Sequence, residues 1–568
     1  SYAERKRLFG LPRSSWQDYD KAKISAGGGV YSRSAKSIPL SAEARKALGV
    51  TASALTPAEV MTAILKADVD LLWFGGIGTY VRASGESDAE AGDRANDAIR
   101  ITGRDIRAKV AGEGANLAMT QRGRIEYALN GGRLNTDAID NSAGVNSSDL
   151  EVNIKIALGT LVRSGVFDTE GRNAFLVQMT PEVAELCLRN NYLQTLALSL
   201  TERRGMAEFP DHRELMLALE REGHLNRAVE FLPSNAVLAE RELANRPLTR
   251  PELAVLLAYA KITLYEDLLA SAVPDDAYLG KELYRYFPET LNVTYPEAVL
   301  GHRLRREVIA TVLANAMINR GGPAYVRQMM DASSATAAEV AFAYAAARDA
   351  YGLPDLNAEI DGQDGRIEGA TQLALYAEVE ALLRRESLWF LRNASFAGGL
   401  APLVERYRAG VDELRLALPA LLPPVLKAKV AAKAEAFRAG GTPKGLAERI
   451  AALSTLSFST DIIFTAERNG VAPVEAARAF FGVLELFDLG DVLLRTRDLV
   501  LADRFDRMAL DRANANLWRA LRDLSADVLS DSRGIEAYRQ RRADAVGRTA
   551  KAVADITQGD LTVSRLSV

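Results

Sequence analysis

The chain has 568 residues and carries 70 Lys+Arg against 74 Asp+Glu, a formal net charge of −4. That balance excludes the strongly basic surface by which proteins hold nucleic acid or an anionic bilayer non-specifically. Hydrophobic residues at 48% and charged residues at 25% suit a globular protein with large cores, and the length predicts about three to four domains. A single cysteine, Cys187, excludes an internal disulfide framework and points to a reducing, cytoplasmic setting. With only three histidines, His212, His224 and His302, there is little material for a zinc site. The longest apolar run, residues 253–264, is broken by Lys261 and is too short to span a membrane. No apolar stretch follows the basic residues near the start, as a signal peptide requires. The first residue is Ser1 rather than Met, which reads as a piece of a longer polypeptide.

Two regimes follow in chain order. Up to about residue 165, short apolar strands alternate with glycine turns and helices. Residues 25–30 form a glycine-rich loop. Thr56-Pro57-Ala58-Glu59 reads as a capping box with proline at the first helical position, followed by Val60, Ile64 and Leu65 on one helical face. Val69-Asp-Leu-Leu-Trp-Phe74 is a compact apolar run that stops at Gly75-Gly76, which predicts a buried parallel strand. Polar residues 87–100 read as an exposed helix. Residues 108–111 predict another strand, ending in Gly112-Glu-Gly-Ala-Asn116. Residues 119–130 predict a helix closed by Gly131-Gly132. Asn141-Ser-Ala-Gly-Val-Asn-Ser147 then leads into Ser148-Asp-Leu-Glu151, read as a second capping box. Strand, glycine turn and helix in repetition are the pattern of a doubly wound α/β sheet.

From residue 166 to 568 the sequence is rich in Ala, Leu and Arg with 3.6-residue periodicity. Helices are predicted from Thr180-Pro181, from Arg250-Pro251-Glu252, and over residues 302–319, 337–350, 372–385, 475–488 and 508–529, with a break at 419–424. No fixed-period repeat supports a solenoid, so the expectation is a large irregular helical region. The fold class is thus α/β plus all-α, divided as residues 1–165 and 166–568.

The chemistry concentrates in three turns of the first regime: Gly75 to Thr79, Gly112 to Asn116 and Asn141 to Ser148. In an open α/β sheet, ligands bind beyond the carboxyl ends of strands. Gly75 and Gly76 allow close approach of a flat ligand to the backbone. Asn116 offers a donor and an acceptor, suited to a ribose hydroxyl or a carboxamide. Ser147 and Ser148, at an expected helix N-terminus, suit a carboxylate or phosphate. Each turn alone has an ordinary structural reading, glycine for reversal and Asn or Ser for capping; three in series point to a site. The spacing of Gly76-Ile-Gly78 does not fit a dinucleotide phosphate loop, and no acidic residue follows on a second strand. The Gly27-Gly28-Gly29 loop with Arg33 and Lys36 could meet an anion or be an ordinary surface loop. Cys187 among Val183, Leu186 and Leu188 reads as a small buried apolar residue. His302-Arg-Leu-Arg-Arg306 could meet an anionic effector, a carboxylate neighbour or nothing, and reads first as a salt-bridged helix face; Glu475, Glu485 and Asp488 read as solvated or paired carboxylates.

Four segments, Ile24-Ser-Ala-Gly-Gly-Gly-Val-Tyr-Ser-Arg-Ser-Ala-Lys-Ser-Ile-Pro-Leu40, Asp70-Leu-Leu-Trp-Phe-Gly-Gly-Ile-Gly-Thr-Tyr80, Gly112-Glu-Gly-Ala-Asn-Leu117 and Asp140-Asn-Ser-Ala-Gly-Val-Asn-Ser-Ser-Asp149, closely resemble the large bacterial NAD-dependent glutamate dehydrogenases. Leu248-Thr-Arg-Pro-Glu-Leu-Ala-Val-Leu-Leu-Ala-Tyr-Ala-Lys261 and His302-Arg-Leu-Arg-Arg-Glu307 resemble the C-terminal region of that family. The resemblance covers essentially the whole chain. It implies the second half of a Rossmann-like cofactor domain followed by a helical C-terminal region. It implies oxidative deamination of L-glutamate to 2-oxoglutarate and ammonium with NAD as cofactor. Asn116 would meet the nicotinamide ribose, Asn141 would lie near the nicotinamide, and Gly75 and Gly76 would pass the adenosine ribose. Val145 and Ser148 would hold the side-chain carboxylate of glutamate. Ser142 and Ala143 depart from the Ala-Gly of the smaller enzymes. The phosphate loop and the catalytic lysines of the family have no counterpart motif here, so the implied partner is a missing N-terminal part of the same polypeptide, and the chain alone is expected to be inactive. A cytoplasmic homo-oligomer without nucleic-acid or membrane partners is implied. The alternative is a non-catalytic helical scaffold or regulatory module carrying a remnant nucleotide fold.

Overall fold

The computed structural model describes residues 2–496, 499, 504–530, 534–557 and 561–566. Helices predominate, and the strands are short. The chain forms two compact units. The first comprises Ser1–Asn153, Thr180–Leu198 and Leu225–Ala258; the second comprises Ile154–Met179, Ser199–His224 and Tyr259–Val568. Segments 180–198 and 225–258, which the sequence assigns to the region after residue 165, thus cluster with the glycine-rich start of the chain.

In the first unit six strands pair two by two: β1 (Ile38–Pro39) antiparallel with β2 (Ala54–Leu55), β3 (Leu71–Phe74) parallel with β6 (Val110–Glu113), and β4 (Val81–Arg82) parallel with β5 (Ile101–Thr102). The extended doubly wound sheet expected from the sequence is therefore present only as short ladders, β6 being continued on its other edge by a bridge to Arg133. Leu65, Phe74, Val81, Ile101, Ala111, Met119 and Tyr127 form the core beneath them. The buried Tyr127 hydroxyl donates to the Ala108 carbonyl at 2.6 Å, so this aromatic buries its ring without orphaning its oxygen. The parallel pairing of the apolar run 69–74 is as its composition predicts, but its burial is one-sided. Leu72 and Phe74 face the core, whereas Leu71 and Trp73 are 56% and 59% exposed.

The capping box at Thr56 forms as read: its side chain accepts from Glu59 N, and the Glu59 carboxylate accepts from Thr56 N at 2.8 Å, opening helix Pro57–Leu65. Helix Gln121–Leu129 is capped by Thr120. Residues 87–100 are not one helix. Ser87 caps a single turn, Asp88–Ala91, which ends because Gly92 turns left-handed at φ 73°, and the 3₁₀ turn Arg94–Asn96 follows. The second expected cap, Ser148, is no N-terminus at all: the helix runs Ser142–Arg163. Contacts distant in sequence carry it through the Asn-Ser-Ala-Gly stretch. Asn191 donates to the Ser142 hydroxyl at 3.0 Å, and Asn190 donates to Asn146 at 3.2 Å.

The second unit is helical throughout its described residues. Its predicted helices appear as Arg305–Gly321, Ala337–Ala350, Gly369–Asn393, Pro473–Leu486 and Arg504–Ser530. Pro419 sits inside helix Leu400–Leu421 rather than ending it, at the loss of one backbone hydrogen bond in the last turn. Several buried charges are partnered. Asp461 is fully buried and accepts from Trp389 Nε1 at 2.9 Å, from Arg385 at 3.0 Å and from Arg522. Arg348 joins Glu282 at 2.8 Å and Asp349 at 2.7 Å. Arg306 pairs with Asp275 and donates to the Leu269 carbonyl at 2.8 Å, the paired reading of the basic stretch after His302. Glu475, Glu485 and Asp488 are exposed. No described helix is long and apolar enough to cross a membrane.

Candidate functional site

β3 and β6 run in the same direction with Trp73 opposite Gly112 and Phe74 opposite Glu113. Their carboxyl ends therefore lie side by side, and Gly75-Gly76 leaves β3 beside the turn Gly114-Ala115-Asn116, whose Ala115 N–H donates to the Phe74 carbonyl at 3.1 Å. Gly75 and Gly76 are exposed, and a Cβ at Gly76 would meet nothing within 4 Å. Trp73 lies flat over β6. A Cβ on Gly112 would stand 2.7 Å from its ring carbons, and one on Gly114 would also strike the indole. These two glycines are thus required by a close approach rather than by a special φ.

The turn after β6 is held from below by charge. Glu113 is 1% exposed and receives Arg124 Nε at 2.6 Å and Arg124 Nη2 at 2.9 Å, a bidentate pair. Burial disfavours the Arg124 cation, but the Glu113 carboxylate more than offsets this and holds its pKa above the ordinary guanidinium range. Arg124 also meets Asp137 at 3.0 Å, and Asp137 accepts from the Leu117 N–H at 2.9 Å. Leu117, the residue after Asn116, has φ 61°, a left-handed conformation uncommon for a branched side chain, and this carboxylate pins it. Asp140 accepts from the Glu113 N–H at 3.0 Å and from Asn135 at 2.8 Å, and Asn135 is in turn fixed by Arg250 at 2.8 Å.

On this base the structure brings two predicted residues together. Asn141 Nδ2 donates to Asn116 Oδ1 at 2.7 Å. Asn116 is exposed and Asn141 half-buried. The Asn116 amide N–H groups and the Asn141 carbonyl have no partner among the described residues, so the pair presents a donor and an acceptor outward. Asn141 terminates the short helix Asp137–Asp140 and precedes Ser142–Arg163. Val145 and Ser148 stand three residues apart on that second helix, hence on one face; both are exposed, Val145 at 77%. Cys187 is 5% exposed, as its apolar neighbours predict, with its thiol 3.7 Å from Asn146 Oδ1. Arg33 and Lys36 are exposed. No group of three or more His, Cys, Asp or Glu suited to a metal occurs among the described residues.

Residues 245–568 match the family model described as glutamate dehydrogenase, C-terminal, and residues 1–201 match that described as bacterial NAD-glutamate dehydrogenase, catalytic domain. The chain belongs to the bacterial NAD-glutamate dehydrogenase family. It is 42% identical over 529 residues to the NAD-specific glutamate dehydrogenase of Pseudomonas aeruginosa, covering 93% of this chain and 33% of that protein. It is 40% identical over 529 residues to that of Halomonas elongata, with the same coverage, 93% and 33%. It is 36% identical over 582 residues to that of Mycobacterium tuberculosis, covering 100% of this chain and 36% of the relative. The chain thus spans about a third of the length of these curated relatives.

Within this member of the family, sequence reasoning missed the residues that build the turn rather than tip it. Glu113 stands inside a quoted motif, yet its burial was unreadable because its partner Arg124 lies in the next helix. Asp140 and Arg250 stand inside quoted motifs too, but the contacts they make there join segments distant in sequence; Asp137 and Asn135 carry no local signal. The one available clue was the glycine pair 112 and 114 flanking a β-strand end opposite Trp73, the pattern of a close packing contact.

Proposed function

We propose that this chain is part of an NAD-dependent glutamate dehydrogenase, converting L-glutamate to 2-oxoglutarate and ammonium with reduction of NAD. The observation that carries the reading is the 2.7 Å contact of Asn141 with Asn116 at the carboxyl ends of parallel strands β3 and β6, the edge at which open α/β sheets take their ligands. Family membership and the names of the relatives agree with it. On this reading β3 to β6 belong to a Rossmann-like cofactor domain, and the helical region from about residue 166 supports it.

The residues present fit NAD. The exposed Gly75-Gly76 backbone leaves room for the adenosine ribose, the free amide of Asn116 suits a ribose hydroxyl, and the Asn141 carbonyl suits the carboxamide of the nicotinamide. When bound, NAD accepts the hydride from the α-carbon of glutamate. The Asn116–Asn141 pair fixes the orientation of the two amides, because each is held before the ligand arrives. Val145 packs on the methylenes of glutamate, and the Ser148 hydroxyl donates to its side-chain carboxylate. We infer that the lysines that take the amine proton come from outside this chain, since no motif for them occurs in it.

Two measurements test this. In the whole enzyme, Asn116→Ala and Asn141→Ala are each expected to raise the KM for NAD about tenfold, near the upper worth of one hydrogen bond, with a smaller effect on the KM for glutamate. Unchanged KM and kcat in both variants would overturn the assignment. The chain by itself is expected to form no NADH from glutamate; turnover by it would place the acid–base groups inside these residues.

A further inference from the structure

A cleft of about 1370 Å³ opens among the helices of the second unit. Its walls come from helices Tyr325–Ser333, Gly369–Asn393 and Arg504–Ser530 and from the segment before helix Phe209–Arg221. Arginines outnumber carboxylates on these walls, and no lysine lines them. Most of the carboxylates are already spent. Glu208 is shared by Arg204 and Arg384, each at 2.8 Å. Asp211 pairs with Arg507, Asp331 lies 3.2 Å from Arg327, and Glu378 lies 2.6 Å from Lys433.

Three arginines of the cleft have no carboxylate within 4.0 Å among the described residues: Arg392, Arg512 and Arg519. Arg392 donates to the Ala332 carbonyl at 3.1 Å. Arg392, Arg512 and Arg519 are all exposed, so three cations without a nearby carboxylate face the solvent of the cleft. Arg512 and Arg519 lie seven residues apart on helix Arg504–Ser530, two turns or about 10 Å along one face. Ala515 and Asn516 lie between them on that face, and both also line the cleft.

We propose that this cleft binds a small multivalent anion bearing phosphate or carboxylate oxygens, held by Arg392, Arg512 and Arg519. Guanidinium forks match both oxyanions bidentately. The volume exceeds that of an ordinary small-molecule pocket, about 300–1,000 Å³, so the ligand enters with bridging water. This site is separate in the sequence from the Asn116 turn and does not depend on the reading of that turn.

Calorimetric titration of the chain with pyrophosphate, and separately with citrate, tests it. At least one probe is expected to bind saturably at one site, more weakly at 0.15 M than at 0.02 M salt (on the order of a screened charge contact). Pyrophosphate alone binding identifies a phosphate ligand, citrate alone a carboxylate ligand, and both a general oxyanion site. Arg392→Gln combined with Arg519→Gln is expected to weaken binding at least tenfold. Arg438→Gln, at an exposed arginine outside the cleft paired with Glu435 at 2.8 Å, is expected to bind as the parent does. Arg512→Gln, at an exposed position where substitutions usually cost little stability, is expected to weaken binding at least threefold and serves if the double variant does not fold. Saturable binding of neither probe, or parental affinity in the arginine variants, would overturn the proposal.

Discussion

Arg124 illustrates how one residue can matter to a site that it does not touch. Its guanidinium spans Glu113 at 2.6 Å and Asp137 at 3.0 Å, and those two carboxylates accept from the Met119 and Leu117 N–H groups, fixing the backbone just after Asn116. Removing the cation strands a carboxylate in the core, which costs about 3–5 kcal/mol where a buried pair is broken from one side. Arg124→Met is therefore expected to lower unfolding free energy by that order in chemical denaturation, whereas Arg124→Met combined with Glu113→Leu should recover a large part of the loss. Equal destabilisation in the single and double variants would mean that the charge pair is not what holds the turn. Asn116 itself was legible from its motif, because an exposed amide after a glycine-flanked strand end has few structural duties. Arg124 was not, because in sequence it is one of many arginines on a helix.

At the scale of elements, the β3–β6 ladder rests on a packing fit between an indole and two glycines. The Trp73 ring lies against Gly112 and Gly114, so any side chain there must displace it. Gly114→Ala is expected to cost about 1 kcal/mol, the order of a small overpacking event. In a Trp73→Ala background the same substitution should cost close to nothing, since the collision is with that ring alone. The same cost in both backgrounds would locate the strain elsewhere. Helix Ser142–Arg163 teaches the converse lesson. Ser148-Asp-Leu-Glu151 has the composition of an N-terminus, but the helix begins at Ser142, because Asn191 and Asn190 bind Ser142 and Asn146 from another helix. Local capping chemistry gives way to contacts made across the sequence. The box at Thr56 forms as written.

At the scale of the whole molecule, stability carries a pH signature from Lys261. Burial pushes its ammonium down to about 7 from an ordinary 10.5, and it has no hydrogen bond or ion pair from its side chain among the described residues. Between these two values the unfolded chain holds a proton that the folded chain lacks, so this residue makes stability rise with pH across that window. Lys261→Met is accordingly expected to melt above the parent at pH 7, with the gap closing toward pH 10. A gap independent of pH would show that the lysine is solvated. Lys261 was visible in the sequence only as the charge interrupting an apolar run.

What the amino-acid order determined by itself is the set of local events: the strands read at 69–74 and 108–111 and found at 71–74 and 110–113, the Thr56 cap, the helix Ala337–Ala350 and the family. Each depends on periodicity, on turn chemistry or on a contiguous motif, and all of these are written within a few residues. What tertiary structure alone decided is where desolvation falls. It left one face of β3 open, began a helix six residues before its apparent cap, and paired Glu113 with Arg124 in the core. Burial is a property of what other segments bring to a position, and an ion's free energy depends on it more steeply than on the ion's neighbours in sequence.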